Sequence, residues 1–276
     1  VYLDDRMQAV KADPNATTPP KEKVRIALEA LKDAKNQKLL RDLNIIETKK
    51  AVKNAIHADQ TIIQLVNHIE ELDKMMNNVA KRAREWYGYY SPEQEHLIRD
   101  HEEFIKDVIS TSRDEFLAKH KITNGMGVEI SPEEKSALLA MINMTHTLYE
   151  YRLAQDAALQ KLMETFARNV CTVAGHKIGA KLLSHAGSLQ RLATLPASTI
   201  QLLGAEKALF RHIRTGAKSP KHGLIIKHTL VSSTRDKGRA ARVLADKIAI
   251  AARVDYFKGE FVGDRLRKEA EERMKK

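Results

Sequence analysis

The sequence predicts an all-α protein: a long antiparallel coiled-coil hairpin followed by a helical domain, with a small helical region ahead of the hairpin. Three observations lead to this prediction. Apolar residues recur at steps of three and four through most of the chain, which is the period of an amphipathic helix. Residues 224–226 are the only short apolar run that forms a candidate strand. Nine of the twelve glycines lie at or after Gly175, so shorter helices separated by turns are expected there.

The distribution of charge divides the chain into two parts. Residues 1–170 contain 25 Lys and Arg against 27 Asp and Glu, whereas residues 171–276 contain 22 against 9. This contrast predicts a domain boundary near residue 170. It also predicts a polyanion as the partner of the basic part, because each neutralised phosphate releases condensed counterions. A membrane surface is the competing polyanion, but the region lacks a strongly amphipathic basic helix bearing Trp or Phe.

The composition excludes several classes of protein. A content of 43% apolar and 30% charged residues is typical of a globular chain and not of a disordered one. No run approaches the ~20 apolar residues of a membrane span, and the amino-terminal segment lacks the pattern of a signal peptide, so an intracellular protein is expected. A single cysteine, Cys171, excludes an internal disulfide and a cysteine-based zinc cage.

The first predicted region, residues 1–90, begins with a loop and continues as helix. Residues 13–20 contain three of the seven prolines and no large apolar residue. After shorter helical patterns that include Val24, Leu28 and Leu31, a periodic series predicts one helix from Val52 to Trp86. This helix is expected to stop near residue 88, because a serine and a proline at 91–92 supply a break.

The second predicted region, residues 91–170, contains the arms of the hairpin. One helix is expected over residues 93–119 and a turn over 124–127. Residues 131–134, Ser-Pro-Glu-Glu, combine an N-cap, a proline at the first helical position and a glutamate at the third, so a helix of roughly 55–60 Å is expected from there to about residue 170. Its heptad-like Thr145, Arg152 and Gln155 favour a coiled coil that pairs with a second copy, and a solitary stalk is the alternative.

The third predicted region, residues 171–276, consists of short helices, expected over 180–186, 199–215 and 237–253. Within it, Lys207, Arg211, Arg214 and Lys218 recur at steps of four, three and four and would form a basic ridge beside Phe210. Such a ridge could straddle a phosphate backbone while the ring stacks on a terminal base. The alternative interpretation is a solvated ridge above a core phenylalanine.

Residues 204–211, Gly-Ala-Glu-Lys-Ala-Leu-Phe-Arg, resemble letter for letter the signature of the Nop domain. That domain occurs in the nucleolar Nop proteins, in their archaeal counterpart in box C/D guide ribonucleoproteins, and in a more distant spliceosomal relative. The resemblance covers about residues 59–258. Its other blocks lie in order at 63–74, 84–88, 126–131, 186–189, 196–201, 220–225 and 249–255.

The resemblance implies an assembly scaffold and not an enzyme. In this family the Nop domain grips a kink-turn RNA together with a small ribosomal-protein-like kink-turn binder, and the coiled coil self-associates. The amino-terminal domain recruits fibrillarin, the methyltransferase that uses S-adenosylmethionine on ribose 2′-hydroxyls chosen by a guide RNA. The chain itself would therefore need no cofactor. Family members usually have a larger, strand-containing amino-terminal domain, whereas only about 45 residues precede the long helix here.

The resemblance also implies a set of RNA contacts. It assigns the signature helix and the Pro-Lys-His-Gly loop, whereas Lys218 comes from the ridge spacing, and Arg239 and Arg242 are chosen mostly for charge. The complete predicted set is Lys207, Phe210, Arg211, Arg214, Lys218, Lys221, His222, Arg239 and Arg242. No catalytic residue or metal ligand is expected. The short charged end of the chain favours an archaeal, cytoplasmic protein, and a eukaryotic one would be nucleolar.

Four other functions compete with this interpretation. An RNA methyltransferase would need a glycine-rich turn after a strand, and Gly125 and Gly127 instead lie between helices. A metal site is disfavoured because the eleven histidines show no metal-binding spacing. A coiled-coil protein without RNA conflicts with the segregation of charge. A spliceosomal-type or ribosome-associated assembly protein that lacks fibrillarin is the alternative function.

Overall fold

The computed structural model describes residues 2–3, 9–10, 24–25, 29, 32–55 and 58–275. The chain divides into two compact units, Val1–His57 and Ala58–Lys276. In the described part almost all regular structure is helical, apart from the short strands β1 (Tyr2–Leu3) and β2 (Ala9–Val10), which pair antiparallel. The all-α prediction is therefore confirmed. Among the helices that the structure describes, none combines the length and apolar character needed to cross a membrane.

The first unit contains one long described helix, α1 (Ala34–Ala55). Its side chains from residue 34 to residue 53 are all exposed or half-exposed. The apolar ones among them include Leu39, Ile45, Ile46 and Val52. The predicted loop at residues 13–20, and Leu28 and Leu31, lie outside the described residues. So does much of the small helical pattern before α1.

The second unit begins with α2 (Ala58–Tyr90). The helix predicted from residue 52 to residue 86 is thus divided between α1 and α2, and residues 56 and 57 lie outside the described part. Its predicted end near residue 88 is confirmed to within two residues. The buried face of α2 follows the predicted apolar period: Ile62, Ile63, Val66, Ile69, Leu72, Met76, Ala80 and Ala83.

The segment that follows α2 differs from the prediction. Residues 93–119 form three helices and not one: α3 (Pro92–Leu97), α4 (His101–Ser110) and α5 (Arg113–Lys119). The breaks have local causes. Asp100 caps α4 by accepting the N–H of Glu103 at 2.9 Å, and Ser112 with Glu115 forms a capping box that starts α5. The caps interrupt a segment whose apolar period would otherwise continue as one helix.

The long helix after this segment, α6 (Pro132–Phe166), begins as predicted. Ser131 and Glu134 form a capping box and Pro132 occupies the first turn. With 35 residues, α6 is about 52 Å long. The predicted domain limits at residues 90 and 170 stay predictions, although the end of α6 lies close to the second.

The structure contains an antiparallel helix pair, but its arms are α2 and α6, so the predicted hairpin arm over residues 93–119 is wrong. Contacts between these helices run in opposite order along them, since His68 contacts Tyr151 and the later Tyr90 contacts the earlier Lys135. The expectation that Arg152 faces a second copy is wrong, because Arg152 Nε donates to Asp73 Oδ1 of the same chain at 3.0 Å. Thr145 is also fully buried within the chain.

Two arginines fix α3 to α5 onto the end of the hairpin. The buried Arg84 donates to Glu95 Oε1 at 3.0 Å and to the carbonyl of Arg99 at 3.2 Å, with its guanidinium over the Phe104 ring. Arg113 donates to the carbonyl of Gly127 at 2.9 Å. The apolar core beneath them comprises Ala83, Tyr87, Phe104, Ile105, Val108, Leu138 and Ile142.

The carboxyl-terminal domain is a cluster of shorter helices around a central one. In chain order these are α7 (Arg168–Ala174), α8 (His176–Ala186), α9 (Leu189–Thr194), α10 (Ala197–Leu202), α11 (Glu206–Thr215), a 3₁₀ turn (Leu224–Lys227), α12 (Thr229–Ser232), α13 (Lys237–Tyr256) and α14 (Gly263–Lys275). α13 contacts α7, α9, α10 and α14. Close packing is possible because its buried face is mainly alanine: Ala240, Ala241, Ala245, Ala249, Ala251 and Ala252.

Two local predictions for this domain are wrong. The helix expected over residues 199–215 is interrupted between α10 and α11, where Gly204 adopts a φ of 86°. The candidate strand at 224–226 is the 3₁₀ turn, because a single short segment has no neighbouring strand with which to pair among the described residues.

The tip of the hairpin yields a stability prediction. A Cβ on Gly127 would lie 1.9 Å from the carbonyl oxygen of Tyr90, so Gly127→Ala must displace backbone. We expect a loss of about 2 kcal/mol or more in the free energy of unfolding. In the matched control Gly125→Ala, the nearest atom is a flexible side-chain carbon of Leu117 at 3.2 Å, so a much smaller loss is expected. Urea denaturation of both variants measures the difference, and equal losses would contradict the close backbone contact.

Candidate RNA interface

Positive charge is concentrated in one stretch of the carboxyl-terminal domain. Residues 207–242 contain ten Lys and Arg and a single acidic residue, Asp236. All nine of the predicted RNA contacts lie in this stretch, and the structure describes all of them. It places them in two groups, one on α11 and one around a groove beside the start of α13.

The first group lies on a helix that stands away from the core. None of the residues of α11 is buried. Lys207, Arg211 and Arg214 are exposed on one face of this helix, and the Phe210 ring beside them is 62% exposed. The alternative interpretation of Phe210 as a core residue is therefore wrong.

Lys218 does not belong to the ridge on α11. The helix ends at Thr215, and Gly216 caps it in the left-handed conformation with a φ of 66°. The chain then changes direction, so the four-residue step from Arg214 to Lys218 no longer keeps both on one helix face. The predicted ridge consequently has three basic members, and Lys218 joins the second group.

The start of α11 is held by a carboxylate. Glu206 accepts the N–H of Gly204 at 2.7 Å and lies 3.3 Å from Nδ1 of His185 on α8. Burial alone would raise the pKa of Glu206, but the hydrogen bonds from backbone N–H groups and the neighbouring His185 outweigh it and lower that pKa. Glu206 is therefore ionised at neutral pH, when it fixes the turn from which α11 projects.

Two backbone segments touch directly beneath the second group. The N–H groups of Gly223 and Leu224 donate to the carbonyls of Gln201 and Leu203, at 2.8 and 2.7 Å. A Cβ on Gly223 would lie 1.9 Å from the Leu203 oxygen, and a Cβ on Gly204 would lie 2.5 Å from the Leu224 side chain. Only glycine fits at either position, so the loop that carries Lys221 and His222 has one fixed place against α10.

The second group lines an open groove of about 680 Å³. Its cationic side chains come from two segments that are distant in sequence, the loop after α11 and the first turns of α13: Lys218, Lys221, Arg239 and Arg242. Lys221 passes over Gly238, where a Cβ would lie 3.5 Å from the lysine Cδ. The amino terminus of α13 also lies here, and its N-cap Asp236, which lines the groove, accepts the N–H of Arg239 at 3.1 Å.

The groove has polar residues that the sequence alone does not assign as RNA contacts. Ser198 and Gln201 of α10 line it, and the Gln201 amide donates to the carbonyl of Lys221 at 2.6 Å. Their only sequence signal is their position within the resemblance block at 196–201. His222 belongs to the same loop and is half-buried, but it is not among the lining residues.

The cations of both groups are available to a ligand. Within the described part of the chain, none of the seven basic side chains on α11 and around the groove has a carboxylate within ion-pair distance. By contrast, the buried Lys247 pairs with Glu269 at 2.5 Å. A set of exposed, unpaired cations on a rigid backbone fits the phosphates of a nucleic acid better than it fits a neutral ligand.

Catalytic and metal chemistry receive no support from the remaining polar groups. Burial raises the pKa of the Cys171 thiol to about 11, so it stays protonated. Burial, with Arg267 nearby, lowers the pKa of His228, whose Nδ1 accepts the N–H of Leu230 at the start of α12. In the described residues no group of three or more His, Cys, Asp or Glu side chains is arranged to hold a metal ion.

Comparisons with known proteins agree on one family. The family model called Nop, whose description reads "snoRNA binding domain, fibrillarin", matches residues 68–276. A NOP5 family protein of Methanocaldococcus jannaschii is 37% identical over 246 residues, which cover 82% of this chain and 59% of that protein. Human nucleolar protein 56 is 35% identical over 80% of this chain and 41% of its own length. Mouse nucleolar protein 58 is 38% identical over 74% and 41%.

The fold also matches a solved structure. The crystal structure of a fibrillarin/Nop5p complex covers 95% of this chain and 87% of the matched chain, with a TM-score of 0.51 and 25% identity. The chain spans about 59% or less of the length of the three curated relatives.

Proposed function

The chain belongs to the Nop family, as the resemblance of residues 204–211 predicts, and from that premise we propose that it is the scaffold of a box C/D guide ribonucleoprotein. In such a particle a guide RNA directs ribose 2′-O-methylation of a target RNA. The proposed chain is non-catalytic, and S-adenosylmethionine belongs to the methyltransferase partner. The archaeal cytoplasm is the proposed location, or the nucleolus in a eukaryotic cell. The observation that supports this proposal is that two groups of cationic side chains, on α11 and around the groove, have no carboxylate partner among the described residues.

The proposed RNA ligand is a kink-turn, bound jointly with a small ribosomal-protein-like kink-turn protein. The groove and the basic face of α11 are the proposed sites of phosphate contact. α11 also offers a second face, where Phe210 and Ile213 are 62% and 68% exposed. Apolar side chains beside a basic face fit a surface completed partly by RNA and partly by a protein. This supports joint recognition over binding of RNA alone.

The proposed self-association uses the outer face of α6. One heptad series on α6 packs inside the chain and includes Leu138, Ile142, Thr145, Arg152, Leu159 and Met163. A second heptad series lies one residue earlier on α6 and includes Met144, Leu148, Gln155, Ala158 and Leu162. Met144 is 60% exposed, and no member of this series is buried. A second heptad seam on the same helix is typical of a coiled coil with a further helical partner.

The proposed fibrillarin contact lies in the first unit. On α1, Leu39, Leu43 and Ile46 recur at steps of four and three and therefore share one face. None of the three is buried by the described residues. A 22-residue helix with an uncovered apolar strip gains stability when a partner covers the strip. In this family the partner expected at the amino-terminal end is fibrillarin.

The first prediction tests RNA binding. We expect Lys221→Ala with Arg239→Ala to lower the salt slope of kink-turn RNA binding by roughly 1.4–1.8, because each lost phosphate contact accounts for about 0.7–0.9. Arg211→Ala with Arg214→Ala should act similarly. The control Lys81→Ala with Lys268→Ala removes the same charge elsewhere and should leave the slope unchanged. Filter binding with the kink-turn protein present measures all three, and equal slopes would show that the interface is misplaced.

The second prediction tests self-association. Met144→Glu places a carboxylate on the outer seam of each copy, and burying unpaired charges there should weaken dimerisation by about 3 kcal/mol or more. Ala157→Glu puts the same charge on a face of α6 that belongs to neither seam and should leave the dimer intact. Light scattering over a dilution series measures the mass of each variant. A wild-type protein that stays monomeric would contradict the proposal.

The third prediction tests the methyltransferase contact. Leu39→Glu with Ile46→Glu should weaken fibrillarin binding by the full chain at least about tenfold, because two charges then face an apolar partner surface. Asn44→Glu on another face of α1 is the matched control and should bind normally. Calorimetry against the fibrillarin of the same organism measures both. Unchanged affinity of the double variant would mean that the strip on α1 is not the docking site.

A further inference from the structure

Three aromatic side chains are exposed or partly exposed at the end of α13. Tyr256, Phe257 and Phe261 fall within residues 256–261, here called the aromatic loop, in a chain with only seven Tyr, six Phe and one Trp. Phe257 is 76% exposed. The rings of Tyr256 and Phe257 lie edge to face with centroids 5.0 Å apart. An exposed aromatic pair of this kind is costly in water and indicates a contact surface.

The aromatic loop is held rigidly from both sides by Asn169. Before the loop, the Asp255 carboxylate accepts the backbone N–H of Asn169 at 3.1 Å and its side-chain amide at 2.7 Å. After it, the N–H of Val262 donates to Asn169 Oδ1 at 2.7 Å. The Arg168 guanidinium lies 4.3 Å from the centre of the Phe261 ring. The surface is therefore preorganised, which reduces the entropy lost when a ligand binds.

The backbone at Lys258 provides an independent observation. Lys258 has a φ of 54°, the left-handed conformation that favours glycine. It ends α13 in a Schellman arrangement, in which the N–H of Gly259 donates to the Val254 carbonyl at 2.8 Å. Glycine would be the less strained residue at this cap. The exposed Lys258 follows directly after the most exposed phenylalanine of the loop, so a cation lies next to that ring in the chain.

We propose that the aromatic loop is a second RNA contact, which stacks an unpaired base on Phe257 while Lys258 and Arg168 approach the adjacent phosphates. Single-stranded RNA fits this chemistry because every base has a ring face that can stack on an aromatic side chain. The loop also contains Glu260, so stacking supplies more of the affinity than charge does.

The distance between the loop and the groove determines how far a bound RNA must extend. The groove lies at the start of α13 and the aromatic loop at its end, about 30 Å apart for a helix of 20 residues. An RNA bound in the groove reaches the loop only through a segment that extends beyond its folded part. The inference rests on the proposed function because the RNA bound in the groove also supplies the unpaired strand.

The test is binding of a short fluorescein-labelled oligouridine to the full chain, measured by fluorescence polarisation. We expect Phe257→Ala to weaken binding about tenfold with an unchanged salt slope, because stacking is lost and no phosphate contact is. Lys258→Gly should weaken binding by about threefold and lower the slope by about 0.7. Its melting temperature should stay equal or rise, since glycine relieves the positive φ.

The control is Tyr89→Ala, which removes an equally exposed ring at the hairpin tip and should bind oligouridine as the wild type does. Wild-type affinity in both loop variants, or no measurable binding by the wild type, would overturn the inference. So would a Phe257→Ala variant that binds RNA normally but no longer binds the kink-turn protein, since the loop would then be a protein contact.

Binding of a second RNA, a kink-turn without an unpaired extension, distinguishes a failure of this inference from a failure of the proposed function. Lys221→Ala with Arg239→Ala should weaken binding of a kink-turn RNA that has no unpaired extension, whereas Phe257→Ala should not. If only the groove variant has an effect with any RNA, the second contact is wrong and the proposed function stands. If Phe257→Ala weakens oligouridine binding while Lys221→Ala with Arg239→Ala leaves kink-turn binding unchanged, the second contact stands and the proposed kink-turn interface is wrong.

Discussion

The direct contact between the backbones of residues 201–204 and 221–224 determines the shape of the proposed RNA interface. No side chain fits at Gly204 or Gly223, so the two segments approach to hydrogen-bonding distance and cannot slide. The same contact ends α10, reverses the chain and sets the point from which α11 projects. It also brings Lys221 over Gly238, beside the first turn of α13. Cations from segments far apart in sequence therefore share one groove because of a backbone constraint, and not because of attraction between them.

The basic residues of this chain divide into two physical classes. Arg84, Arg113 and Lys247 are buried, and each has a carboxylate partner that compensates the loss of water. The cations on α11 and around the groove are exposed and lack such partners among the described residues. The first class holds helices together and should not contribute to the salt dependence of ligand binding. The cations of the second class repel one another, and a bound polyanion neutralises them.

Sequence patterns predicted those features that depend on neighbouring residues. The capping box at Ser131 and the period of α6 are local, and both are confirmed. The prediction of one helix over 93–119 was wrong because the side chains of Asp100 and Ser112 cap new helices inside an unbroken apolar period. Lys218 is not part of the ridge because α11 ends at Thr215 and the chain turns at Gly216, before it reaches Lys218. The partnership of Arg152 with Asp73, 79 residues away, depends on tertiary packing and has no local signal.

Several positions with a constrained backbone lie at the surfaces that the proposals use. Gly127 lies against Tyr90 at the hairpin tip, Gly204 and Gly223 lie under the groove, and Lys258 accepts a positive φ beside Phe257. The core of the carboxyl-terminal domain is instead packed by alanine, leucine, isoleucine and valine side chains. A scaffold must hold several partners at fixed separations, and a shift of a surface segment changes those separations directly. Rigid backbone beneath the proposed contact surfaces therefore supports the proposed scaffold role, in which partners are held at fixed separations.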